Sequence, residues 1–172
     1  MFFTRTFVAA IFAAASVFAL ATADRDFLLQ AAEGGRMEVE LARGAAQKAA
    51  SLEVKQFAQQ LLDDHAKTNQ EIKQLAEKKG VIVDASSSRA TPHLQERLSK
   101  LSGDQFDRVY IQEMMAEHQK GAAAFENAAK TAKDADIRAF AAKTLQTIRQ
   151  HLEKVGALHR KLSAPGTSGN PV

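Results

Sequence analysis

The chain of 172 residues has no cysteine. That excludes a disulfide framework, lipid attachment through a lipobox and any thiolate-based site. It has little proline: Pro92, Pro165 and Pro171 all lie outside the long helical patterns. No stretch alternates apolar and polar residues long enough to build a sandwich or barrel. There is no nucleophile elbow and no glycine-rich phosphate loop. Charge of one sign is also scarce. The 23 basic and 20 acidic residues are interleaved along every segment, as on solvated helix faces, so no nucleic-acid partner is expected. Finally, no Glu stands three residues before any His. At that spacing before His65, His118 and His151 lie Leu62, Met115 and Ile148. This excludes the Glu-x-x-His motif of carboxylate-bridged di-iron bundles.

What is present begins with an export pattern. Met1 to Thr6 carries one Arg, Phe7 to Leu20 is an apolar run, and Ala21-Thr22-Ala23 fits a small-residue cleavage site. Cleavage after Ala23 is expected, leaving Asp24 first in a periplasmic or secreted protein. The uncharged run from Phe7 to Ala23 falls short of the roughly 20 residues a membrane-spanning helix needs, so no span is expected after cleavage. Residues 24–162 then form one domain, of ordinary size for a single core. Residues 163–172, with Pro165, Gly166, Gly169 and Pro171, read as a disordered tail.

Within the domain, apolar and small residues recur at three- and four-residue steps. From Asp26 to about Lys48 the stripe is Phe27, Ala31, Gly34, Leu41 and Ala45, with Glu38 on the same line. Gly34-Gly35 in mid-helix points to close approach of a neighbouring helix. A second helix, Leu52 to Lys79, is predicted to be capped by Ser51 and stopped by Gly80. Its stripe is Val54, Ala58, Leu61, His65, Thr68, Ile72 and Leu75. A long connection follows, in which Val81-Ile82-Val83 is a candidate extended piece and Thr91-Pro92 opens a short helix to about Leu101. A capping-box pattern at Ser102 to Gln105 opens the third long helix, with Ile111, Met115, His118, Ala122 and Phe125 inward. Asp134 caps the fourth, with Ile137, Ala141, Leu145, Ile148, His151 and Val155 inward. The class is all-α: a ferritin-like four-helix bundle of two antiparallel hairpins joined by a long crossover connection.

The hairpins align without a gap at a single offset. Ser51 meets Asp134, Val54-Lys55 meets Ile137-Arg138, and Phe57-Ala58 meets Phe140-Ala141. They read as homologous halves related by a pseudo-twofold axis. Each long helix also carries one inward polar residue: Glu38, His65, His118 and His151. Within each hairpin the pair is nearly level, offset by about 4–5 Å at 1.5 Å per residue. Whether the two pairs meet depends on how the hairpins dock. If they meet, imidazole and carboxylate suit a single zinc, iron or copper ion, with Asp64, Asn69 and Glu117 orienting the ligands. The competing reading is a set of buried histidines, each hydrogen-bonded to a carboxylate or hydroxyl. His93 and His159 sit where surface positions are the default.

The blocks Asp26-Phe27…Ala31-Ala32-Glu33-Gly34-Gly35…Glu38, Val54-Lys55-Gln56-Phe57-Ala58…Asp64-His65, Glu117-His118 and Phe140-Ala141-Ala142-Lys143-Thr144-Leu145…His151 resemble the bacterial domain-of-unknown-function 4142 family. The resemblance spans about Asp26 to Leu162. It implies a ferritin-like bundle in an exported protein, often labelled an outer-membrane protein, and no established activity. The family's Thr-Leu-Pro pattern is Thr144-Leu145-Gln146 here, so this chain lacks the helix-interior proline that would kink the helix near His151. Two functions are carried forward. One is a non-enzymatic envelope- or stress-associated binding protein, with an envelope partner or a second copy of the chain. The other is a metal carrier or redox protein built on Glu38, His65, His118 and His151.

Overall fold

The computed structural model describes residues 20–83 and 91–164. The expected export signal lies largely outside these residues, as do most of the expected tail and part of the connection. Five helices follow in order: α1 (Thr22–Lys48), α2 (Leu52–Lys78), α3 (Thr91–Ser99), α4 (Gly103–Thr131) and α5 (Ala135–Ser163). Among the described residues there is no strand, and Val81-Ile82-Val83 is irregular rather than extended into a sheet. No described helix is long and apolar enough to cross a membrane.

α1 packs along α2 and α4 along α5, and the two pairs join through α2 on α5 and α1 on α4. Ion pairs give the directions. Lys79, just past α2, meets Asp134 and Asp136 at the start of α5 at 2.6 and 2.8 Å, while Lys161 near the end of α5 meets Glu53 at the start of α2 at 2.6 Å. α2 and α5 therefore run antiparallel. The connection from Lys79 to Ser102 must travel from one end of the bundle to the other. That is the expected crossover, and α3 forms part of it.

The helix ends differ from expectation in an instructive way. Ser51 and Ser102 precede α2 and α4 with extended backbones, but neither side chain makes a capping hydrogen bond. The expected Ser51 cap and the Ser102 capping box are not formed. The first turn between hairpin arms is held from across the bundle instead: Asp107 of α4, fully buried, accepts from the Ala50 and Ser51 amides at 3.0 and 2.7 Å. At the opposite end Asp24 of α1, also buried, accepts from the Lys133 and Asp134 amides at 3.1 and 2.7 Å. This recruitment explains why α1 starts at Thr22, ahead of the point the apolar stripe indicated. Asp134 does cap α5, accepting from Asp136 and Ile137 amides. α2 ends as predicted at Gly80. Gly80 sits at φ 68, its amide bonds the Glu77 carbonyl, and the Val81 amide reaches back to Ala76 at 2.8 Å. A left-handed glycine followed by a buried Val is the Schellman arrangement.

The apolar core is divided along the bundle axis. Near the first hairpin turn, Leu41, Ala45, Val54, Phe57, Leu61, Phe106, Tyr110, Ile111, Met114 and Val155 pack as one cluster. Toward the other end, Ala32, Ile72, Phe125, Phe140, Leu145 and Ile148 pack as a second, followed by Leu28, Ala76 and Ile137. Each of the four long helices turns one polar residue into the centre where the first cluster gives way to the second. They are Glu38, His65, His118 and His151.

Candidate metal centre

The way the hairpins dock, undetermined from spacing alone, brings all four residues together. Glu38 Oε2 is 3.0 Å from His65 Nε2 within the first hairpin, and His118 Nε2 is 3.2 Å from His151 Nδ1 within the second. Across hairpins, Glu38 Oε1 lies 3.4 Å from His118 Nδ1. The His65 ring stands 5.8 Å from that of His118 and 5.6 Å from that of His151. His118 and His151 are almost wholly buried, and His65 nearly so.

Outer partners fix which nitrogens face inward. The Met114 carbonyl, 2.9 Å from His118 Nδ1, only accepts, so that nitrogen donates and the neutral ring keeps its lone pair on Nε2. Asp64 Oδ2 lies 2.8 Å from His151 Nε2. Burial works to raise the Asp64 carboxyl, but hydrogen bonds from His151 and Gln60 outweigh it and hold the group below the usual range. Asp64 is therefore an anion accepting from Nε2, and the His151 lone pair sits on Nδ1. Two lone pairs then oppose each other across the 3.2 Å between His118 Nε2 and His151 Nδ1.

A shared proton would relieve that opposition, but the surroundings discourage one. Burial, then the neighbouring His118 and His151, pushes His65 down to about 3. Burial and His151 push His118 down to about 4, against the Met114 hydrogen bond. Burial also lowers His151, partly offset by Asp64. At neutral pH the rings are uncharged. His65 Nε2 lies 3.0 Å from Glu38 Oε2 and makes no other polar contact. Glu38 is pushed up to about 8 by burial and by the charge of Glu117, so it is a neutral acid near pH 7.

The donor set fits a transition-metal ion. One nitrogen from each of His65, His118 and His151 lies within 4.8 Å of the others. Nitrogens bound at about 2.0–2.1 Å to one tetrahedral ion are about 3.4 Å apart, so the widest pair must close by about 1 Å or somewhat more, a shift within reach of side-chain rotation. Of the residues expected to orient the ligands, Asp64 does so through His151. Glu117 acts on Glu38 by charge and is paired with Lys120. Asn69 does not reach the ligands: its side chain packs on Gly35, where an added Cβ would sit 2.1 Å from Oδ1. Gly35 thus permits the expected close approach. Gly34 does not, since nothing lies within 4 Å of a Cβ built there, and the same holds for Gly121.

Both of these glycines border a cavity of about 300 Å³ between the four long helices, which the sequence patterns did not reveal. Glu38, His65, His118 and His151 form one end of it. His93 is exposed and His159 half-buried, as expected of positions away from the centre. Tyr110, fully buried, has a hydroxyl without a partner, and its pKa is raised by burial and by Glu38.

The family model described as "Domain of unknown function (DUF4142)" matches residues 9–158. No curated protein matches the chain by sequence. Among solved structures, a DUF305 fragment from Deinococcus radiodurans superposes with a TM-score of 0.73 at 15% identity, covering 83% of this chain and 99% of that one. CopM in its Cu(II)-bound form gives 0.69 at 17% identity, covering 80% and 96%. A conserved hypothetical protein from Mycobacterium tuberculosis gives 0.63 at 17%, covering 87% and 98%. At these identities the likeness concerns the fold.

Proposed function

The chain belongs to the DUF4142 family, whose description supplies no activity, and from the chemistry of its buried polar centre we propose that it binds one divalent transition-metal ion. The ligands are Glu38, His65, His118 and His151. The observation that carries this reading is the 3.2 Å approach of His118 Nε2 and His151 Nδ1, each left with its lone pair by an outer partner, with His65 Nε2 and the Glu38 carboxyl beside them. A buried group of this kind is costly unless something occupies it. A cation supplies what the neutral rings lack. It displaces the Glu38 proton, and the charges of Glu38 and Asp64 then balance a divalent ion. Asp64–His151–metal is the carboxylate–histidine–metal arrangement that orients a ligand and raises its basicity.

Three imidazoles and a carboxylate take Cu(II) more tightly than zinc or iron by the general order of divalent affinities. CopM, a protein of the same fold, has been crystallised with Cu(II), Cu(I) and silver, which supports trying copper first. We read the protein as a carrier or store rather than a catalyst, exported by cleavage after Ala23 and working in the cell envelope. Residues 24–162 are the binding domain and 163–172 a tail. One and the same offset relates the hairpin sequences and the Asp24 and Asp107 clamps, which supports two homologous halves.

The test is elemental analysis of protein purified from the exported fraction. One metal ion per chain, lost in His65→Ala and His118→Ala, is the expected result. Fully folded protein that takes up no copper, zinc or iron ends the reading.

A further inference from the structure

Beyond the four polar residues, the central cavity has a composition of its own. It extends along α1 from Glu38 back to Phe27 and along α4 from His118 to Phe125, about 10–16 Å at 1.5 Å per residue. Phe27, Phe125, Ile72 and Ile148 wall its far end. There Phe27 meets Phe125 edge to face at 5.0 Å, and Phe125 approaches Phe140 at 6.0 Å. The space exists because Gly34 and Gly121 carry no side chain and nothing fills their place. A cavity of roughly half this volume, lined by apolar side chains, is enough to hold benzene.

We propose that this cavity is a binding site for a neutral aromatic molecule of one or two rings carrying a single hydrogen-bonding head. The rings lie between Phe27, Phe125 and Ile148, where edge-to-face contacts with aromatic walls are available. The head points toward the Glu38 carboxyl and His65 Nε2, the polar pair that closes this end of the cavity. The lining is mostly apolar, with Gln30 and Thr144 as isolated polar groups along it and Glu38 and the three histidines converging at one end, the usual form of a small-molecule site. The rim includes the Lys120 and Thr147 side chains, so the site is reached from the bundle's flank. This site does not depend on the metal reading, because the cavity and its Glu38–His65 end are present in the metal-free protein.

The probes are 2-naphthol and naphthalene, titrated into metal-free protein. The chain has no tryptophan, so naphthol fluorescence is read without indole background. Saturable binding of one 2-naphthol per chain is expected. Gly34→Leu and Gly121→Leu should each weaken it at least tenfold while keeping the helical circular dichroism and the metal content of the parent protein. His65→Leu should weaken 2-naphthol about three- to tenfold relative to naphthalene, the value of one hydrogen bond. Unchanged affinity in both folded leucine variants overturns the proposal, and so does the absence of saturable binding to the parent. Should the leucine variants not fold, NMR on the parent decides. Naphthol-induced shifts at Phe27, Phe125 and Ile148 support the site, and shifts confined to surface residues overturn it. Elemental analysis of each variant as purified, before the metal is removed for the titrations, reports separately on the metal.

Discussion

Asp24 and Asp107 hold matching positions in the two hairpins and perform the same task at opposite ends of the bundle. Each buried carboxylate accepts from two successive amides of the other hairpin's turn. The amides themselves, Ala50-Ser51 and Lys133-Asp134, are related by the same offset in sequence as the two aspartates.

Stability follows these clamps rather than the serine caps. Hydrogen bonds to a charged group contribute about 1.5–3 kcal/mol each, so Asp107→Ala and Asp24→Ala should each cost about 3 kcal/mol or more. Asp134→Ala, which removes a real cap, should cost about 1 kcal/mol. Ser51→Ala, which removes none, should fall within about 0.5 kcal/mol of the parent. Urea unfolding of the four variants checks the order.

The metal-free protein should weaken in acid. His65 and His118 titrate at about 3 and about 4 when folded, below the ordinary value of about 6.5. Between those limits the unfolded chain binds more protons, so their contribution is whole above about pH 6.5 and is lost as pH falls toward 4. Denaturant midpoints across pH 4–8 should fall on the acid side, and substituting both histidines with leucine should flatten that slope.

Glu38 has the opposite sign. Its folded value of about 8 lies above its ordinary value, so its stabilising contribution is present at low pH and is lost as pH rises through the interval up to about 8. Glu38→Gln should remove this alkaline slope while leaving stability near pH 5 within about 1 kcal/mol of the parent. Metal binding at pH 7 should release about one proton in the parent and none in Glu38→Gln. Calorimetry in two buffers of different ionisation enthalpy reads that difference directly.

Copper should raise the melting temperature by mass action, with about 2.7 kcal/mol gained at a hundredfold excess over Kd. Asp64→Asn leaves every ligand in place but weakens the orientation of His151. It should reduce affinity about 10- to 100-fold, with little change in metal-free stability. An equal loss in Gln60→Ala, which also reaches Asp64, would argue against a specific role for the His151 contact.

The sequence carried most of the scaffold because helix periodicity, Gly80 and Asp134 are local signals, and local signals were met. The four inward polar residues were legible for the same reason: each interrupts an apolar stripe at helical spacing. Their meeting was not legible, since it depends on how the hairpins dock, and that is set by side chains facing α2 against α5 and α1 against α4. The Asp24 and Asp107 clamps were missed because each acts on backbone amides far away in the chain, which no window of sequence contains. Ser51 and Ser102 misled for a related reason. The residue type suits a cap, but the side chains were not used for one. Gly34 and Gly35 look alike in sequence, and only the neighbouring helices separate a tight contact with Asn69 from an open wall of the cavity.

The crossed clamps also make the two hairpins interdependent. A lone hairpin carrying the clamp aspartate cannot reach its own turn, because the carboxylate sits at the far end of the helix from the two amides it would serve. Two such hairpins, placed head to tail, satisfy both turns at once. A single hairpin cut from this chain therefore leaves its turn amides without the carboxylate that holds them. Because one chain carries both hairpins, each brings the other's clamp with it, and this mutual bracing does not depend on protein concentration.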